Sequence, residues 1–75
     1  MNALKPQHPG KLEMVDDVTG TTDVVDASTV PAAVAFVEGQ PVVRVVHSLR
    51  GSQHVIKSYG QDGALLSTTV SAPAT

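Results

Sequence analysis

Residues 42–60 read VVRVVHSLRGSQHVIKSYG, and this stretch decides the fold. Two extended runs flank Gly51-Ser52. Glycine at the first central position suits a two-residue type II′ hairpin. That turn pairs Arg50 with Gln53, Leu49 with His54, His47 with Ile56, and Val45 with Ser58. One face then carries Val43, Val45, His47, Leu49, His54 and Ile56. The other carries Arg44, Val46, Ser48, Val55, Lys57 and Tyr59.

Two more turn signals extend this hairpin. Downstream lies Gln61-Asp62-Gly63. A two-residue Asp-Gly turn would put Leu66 and Val70 on the Lys57 face. A three-residue loop with Gly63 in the left-handed conformation shifts the register by one and swaps every side chain. Ala64, Leu66, Thr68 and Val70 then join Ile56, so the three-residue loop is favoured. Upstream, Gly39-Gln40 reads as a second type II′ turn, pairing Val37 with Val42, Phe36 with Val43 and Val34 with Val45. The expected inner face is therefore Val34, Phe36, Val43, Val45, Leu49, Ile56, Leu66 and Val70.

Material to cover that face must come from Leu12 to Val30. Leu12, Met14 and Val18 alternate with polar residues, Thr21 to Ala27 is rich in β-branched residues, and Gly20 separates the two pieces. Two short strands fit this pattern. The expected fold is all-β: a small antiparallel meander or partly closed barrel with a flexible N-terminal arm. The alternative is α+β, with one short helix on a four-stranded sheet. A helix over Leu12 to Val18, or one starting near Pro31 and ending at Gly39, would supply it. Residues 1–11 carry Pro6, Pro9 and Gly10 and form the expected arm; residues 12–70 form the domain; residues 71–75 form a frayed tail. His8, in the arm, is expected in solvent.

Composition narrows the function. The chain has 75 residues, which allows one small domain. Hydrophobic residues make up 41%, but aromatic residues only 3%, so valine must build the core. Charged residues are 16% and the net charge is −2, which argues against a disordered polyelectrolyte and a general nucleic-acid coat. With no cysteine, disulfides, thiolate zinc sites and cysteine catalysis are excluded. The longest apolar run, Pro31 to Val37, falls far short of the roughly 20 residues of a helical membrane span. The N-terminus carries no apolar stretch like that of a signal peptide, so no secretory leader is expected.

Two chemical constellations stand out. His47 and His54 are diagonal neighbours on one face. A zinc site needs three or four ligands, so Asp or Glu from the N-terminal segment would have to complete it. Two half-buried histidines at the edge of the core is the simpler reading, and no metal or cofactor is expected. Ser48, Ser52 and Asp62 lie near these histidines in sequence, but no nucleophile-elbow, phosphate-loop, dinucleotide or zinc-protease motif is present. Catalysis is not expected.

Charge is more informative. Between Glu13 and Glu38 the chain is acidic, with no Lys or Arg; from Gln40 to Gly60 it has Arg44, Arg50 and Lys57 and no acid. The halves either neutralise each other or present a bipolar surface that selects a partner. Arg44, Arg50, Lys57 and Tyr59 share the outer face and form the expected protein-binding patch. Arg44 and Tyr59 are cross-strand partners, within reach of cation–π contact. One aromatic is thin for stacking bases, which argues against direct nucleic-acid binding.

The arm MNALKPQHPGK, the acidic segment EMVDDVTGTTDVVD and the hairpin VVRVVHSLRGSQHVIKSYG give the chain a whole-chain character. In that character it resembles small phage-encoded transcription regulators that bind the host RNA polymerase. The resemblance implies a non-enzymatic regulator acting in the bacterial cytoplasm. Its partner would be bacterial RNA polymerase, and its effect would be inhibition of initiation with antitermination. It carries no diagnostic motif and assigns no residue. A single copy acting alone is expected. A second segment, SYGQDGALLSTTV, is similar to tyrosine-containing repeats of secreted bacterial and phage β-structures, in one copy only. The alternatives are a small virion or tail component assembling through sheet edges, and a nucleic-acid-binding barrel.

Overall fold

β-branched runs punctuated by glycine turns fold as strands because each turn closes a hairpin. The computed structural model describes residues 8–71. Strands β1 (Lys11–Asp16) and β2 (Thr21–Asp26) form the first hairpin. Its loop is tied by Asp16 Oδ1, which accepts from the Val18 N–H at 2.9 Å, and by Gly20, whose φ of 74° is left-handed. A 3-10 turn (Ala27–Thr29) and a one-turn helix α1 (Ala32–Ala35) follow, the helix opening after Pro31. Then come β3 (Phe36–Val37), β4 (Gln40–Arg50), β5 (Gln53–Gly60) and β6 (Leu65–Ser71).

The strands make one six-stranded sheet in the order β2-β1-β4-β5-β6, with β3 paired to the start of β4. The fold is all-β with one short helix, and the β3–β6 part is an antiparallel meander. The sheet as a whole is mixed, because β1 runs parallel to β4: Glu13 lies beside Arg44, Met14 beside Val45 and Asp16 beside His47.

The Gly51-Ser52 hairpin has the expected register throughout, from Arg50 opposite Gln53 to Arg44 opposite Tyr59. Gly51 has φ +62° and Ser52 does not have a positive φ, as a type II′ turn requires. The upstream turn differs from expectation. It is centred on Glu38-Gly39, with φ of 50° and 81°, so it is type I′. Phe36 pairs with Pro41 and Val37 with Gln40, and Val34 lies in α1 rather than in a strand. Pro41 needs no ladder donor at this short edge pairing.

Two bulges correct the inner face. In β4 the register shifts between Val42 and Arg44, so Val43 is the extra residue and Val42 turns into the core. After β5 the three-residue loop forms as expected: Gly63 has φ +82°, and the Gly60 N–H donates to the Ala64 carbonyl at 2.9 Å. A second shift between Ser58 and Tyr59 then makes Leu66 the extra residue. Beyond it the parity reverses. Thr68 lies opposite Lys57 and Val70 opposite Val55, not on the Ile56 face.

The main apolar cluster therefore sits at one end of the sheet; Val55, opposite Ser48 on the other face of the hairpin, is buried apart from it. Leu12 and Val42 are fully buried, and Val45 joins them. Ala27, Val30 and Val34 of the connection, with Met14, Val25, Val37 and Leu66, pack against these three. Each fully buried aliphatic side chain contributes roughly 2 kcal/mol. The covering layer does not extend along the hairpin. Leu49, Ile56 and Val70, all expected inside, are exposed, and Phe36 and Val43 are half-buried.

Residues 1–7 of the expected arm and 72–75 of the expected tail lie outside the described residues. His8, expected in solvent, is instead half-buried. Its Nε2 bonds the Val42 carbonyl, its Nδ1 accepts from the Gly10 N–H at 2.9 Å, and its ring meets Phe36 edge-on at 5.8 Å. The segment from His8 to Gly10 thereby lies against β3 and β4 ahead of β1.

Candidate functional site

The four candidate residues lie on the sheet face away from the covering layer, because the β4–β5 register holds. Arg44 and Tyr59 are direct cross-strand partners. Parallel pairing brings Glu13 to the other side of Arg44. The β4 bulge swings Val43 to this same place. Val43, Arg44, Tyr59, Glu13 and Gln61 then line an open cleft of about 370 Å³ above Gly60. Lys57 precedes Tyr59 by two residues along β5 and pairs with Val46, which keeps it on this face. Arg50 is also on this face, but pairs with Gln53 at the hairpin tip. Six residues of strand separate it from Arg44, roughly 20 Å. Arg44, Lys57 and Tyr59 are thus brought together and Arg50 is not.

Arg44 and Arg50 are exposed, while Lys57 and Tyr59 are half-buried. The ion pairs among the described residues are Lys11–Asp26 at 2.5 Å and Asp16–His47 at 3.3 Å, so none of the three cations is paired. The aromatic contacts among the described residues are His8–Phe36 and His47–His54, so Arg44 does not stack on Tyr59. Glu13 and Gln61 escaped the sequence reading. Glu13 enters through a parallel pairing that has no turn signal. Gln61 enters through the loop that closes over the cleft.

On the opposite face the two histidines meet as the hairpin register requires. His47 Nε2 and His54 Nδ1 are 2.7 Å apart. The ring centroids are 5.0 Å apart and the planes differ by 13°. That separation equals the nitrogen gap plus the two centroid-to-nitrogen radii. The rings therefore meet end to end in one plane, joined by an in-line N–H···N bond, and do not overlap face to face. The other His47 nitrogen, Nδ1, lies 3.3 Å from Asp16 Oδ1. Asp16 is the N-terminal carboxylate that a metal site would have required, yet it sits on the far side of the His47 ring. The three groups form a chain of hydrogen bonds rather than a chelate, and no cluster of three or more ligating side chains occurs among the described residues.

Partial burial pushes the Asp16 carboxyl up, but the Val18 N–H, the His47 ring and the Thr19 N–H outweigh it. The net result is a carboxyl held below its ordinary pKa. With Asp16 ionised, His47 donates to it from Nδ1, and His47 Nε2 shares the second hydrogen bond with His54 Nδ1. The chain thereby joins β1, β4 and β5 where no apolar layer covers them.

No protein-family model matches this chain, and no curated protein or solved structure matches it. None of the helices described is long and apolar enough to cross a membrane.

Proposed function

We propose that this chain is a non-catalytic protein-binding module that engages an acidic partner surface through Arg44, Lys57 and Tyr59. One observation carries this reading: two cations with no ion-pair partner among the described residues, and an aromatic, sit on a sheet face beside an open cleft. Unpaired cations steer an acidic partner and set the rate and specificity of encounter. Tyr59 supplies a half-buried aromatic anchor of the kind enriched at binding hot spots. Glu13 beside Arg44 sets the orientation of the partner. Bacterial RNA polymerase is the target implied by the resemblance to phage regulators. In that setting the module would occupy a polymerase surface needed for initiation.

The test is a pull-down from bacterial lysate with tagged protein after nuclease treatment. It is run at about 150 and about 500 mM salt, spanning moderate and strong screening. Retention of polymerase subunits at the lower salt, lost in an Arg44→Ala/Lys57→Ala variant that remains folded, is the expected outcome. Retention that the double variant leaves intact would remove this face from the mechanism. Recovery of the bait alone would remove the regulator reading.

A further inference from the structure

Among the described residues, the strand order ends in two edges, β2 and β6, and they differ in chemistry. β2 reads TTDVVD, and its Asp23 and Asp26 guard it against strand addition. β6 reads LLSTTVS, seven residues with no charge and no proline. Charge, proline, short length and bulges are the usual protections of an edge strand. β6 has only the bulge at Leu66, near its start. The residues beyond the bulge, Ser67 to Ser71, form a regular β-ladder on β5. Their outer backbone donors and acceptors face no strand among the described residues. Leu65 and Val70 on this strand are 51% and 47% exposed.

We propose that β6 is a self-association edge: two copies pair antiparallel along β6, giving one continuous sheet across a two-fold axis.

The sequence of β6 selects a second copy as the occupant. With the axis at the strand midpoint, Thr68 lies opposite its own counterpart and Ser67 opposite Thr69. Threonine and serine pairs across strands are favourable, and no like charges meet. The nearest cation is Lys57, opposite Thr68 on β5. In the dimer the two Lys57 side chains are three strand spacings apart, about 14 Å. That exceeds the screening length of about 8 Å at physiological salt, so their repulsion is small. Self-pairing at β2 would instead crowd four aspartates, so assembly stops at two copies. A two-fold axis through paired antiparallel edges is perpendicular to the sheet. Both cationic faces therefore look the same way.

The test is the molar mass of the purified full chain by analytical ultracentrifugation over a wide concentration range. The expected result is a reversible monomer–dimer equilibrium. Thr68→Glu is the deciding variant. Within one chain the new carboxylate faces Lys57, a favourable cross-strand pair; across the axis it faces itself. Association should weaken by about tenfold or more while circular dichroism stays native. Thr22→Glu places the same charge on β2, opposite the uncharged Val15, and should leave the dimer unchanged. Hydrogen exchange on the unmodified protein is a second readout, with amides of residues 67–71 protected more strongly as concentration rises. A monomer at every concentration, a dimer indifferent to Thr68→Glu, loss of the dimer in Thr22→Glu, or growth beyond two copies would each overturn the proposal.

Discussion

Among the described residues, Glu38 is the non-glycine residue with positive φ, at 50°. A side chain in the left-handed region costs about 1 kcal/mol relative to glycine. It is tolerated because the type I′ turn matches the twist of β3 and β4. Glu38→Gly should therefore raise thermal stability, by several degrees for a domain of this size. A melting curve that shifts downward would show that the glutamate side chain stabilises the turn. Asp16 makes a second residue-scale statement. Its carboxyl is held below its ordinary pKa, so its contribution is fully present above the unfolded value of about 3.9. That contribution is lost as the pH falls through the folded value. Asp16→Asn should lower stability near neutrality and flatten its decline below about pH 4. Urea titrations of both proteins across pH 2–7 would read the two slopes; parallel curves would contradict the account.

At the scale of elements, the legible parts were those whose turn residue also sets the register. Gly51 fixes β4 against β5 from Arg50–Gln53 as far as Arg44–Tyr59, and with it the shared face of Arg44, Lys57 and Tyr59. Glu38 hid the preceding turn, since a type I′ turn is signalled by Asn, Asp or Gly at its first central position. The bulges at Val43 and Leu66 were illegible for a different reason. The first lets Val42 slip into the core against the alternation; the second leaves Leu66 inside, as expected, but reverses the parity of every residue beyond it, so the alternation itself misleads. The Leu66 bulge has a packing cause. A Cβ on Gly60 would lie 3.2 Å from Leu66 Cδ1, so the missing side chain at Gly60 makes room for Leu66. Gly60→Ala should push Leu66 outward and destabilise the protein by about 1–3 kcal/mol. Denaturant unfolding measures this, and an unchanged midpoint would mean that the bulge can relax freely.

At the scale of the molecule, the thinness of the core follows from where the covering layer stops. The connection from Ala27 to Val37 packs over Leu12, Val42 and Val45 at one end of the sheet. The sequence pointed to an inner face along the whole β4–β5 hairpin, because each residue was read within its strand. Which end of a long strand is covered depends on the length and path of a connection with no periodic signal. The Asp16–His47–His54 chain was half visible for the same reason. The two histidines followed from one turn, whereas Asp16 arrived through the parallel pairing of β1 with β4.

That parallel pairing also bears on how the protein is made. The hairpin synthesised first has its inner strand completed only by the fourth strand of the chain. While the ribosome is still adding residues, Leu12 has no Val42 to pack against, and the β1 edge stays open. Contacts that link distant parts of a chain form late because the intervening loop must close first. Until β4 has been made and has docked, the acidic β1–β2 hairpin is the part of this domain that offers nascent-chain chaperones an open strand edge.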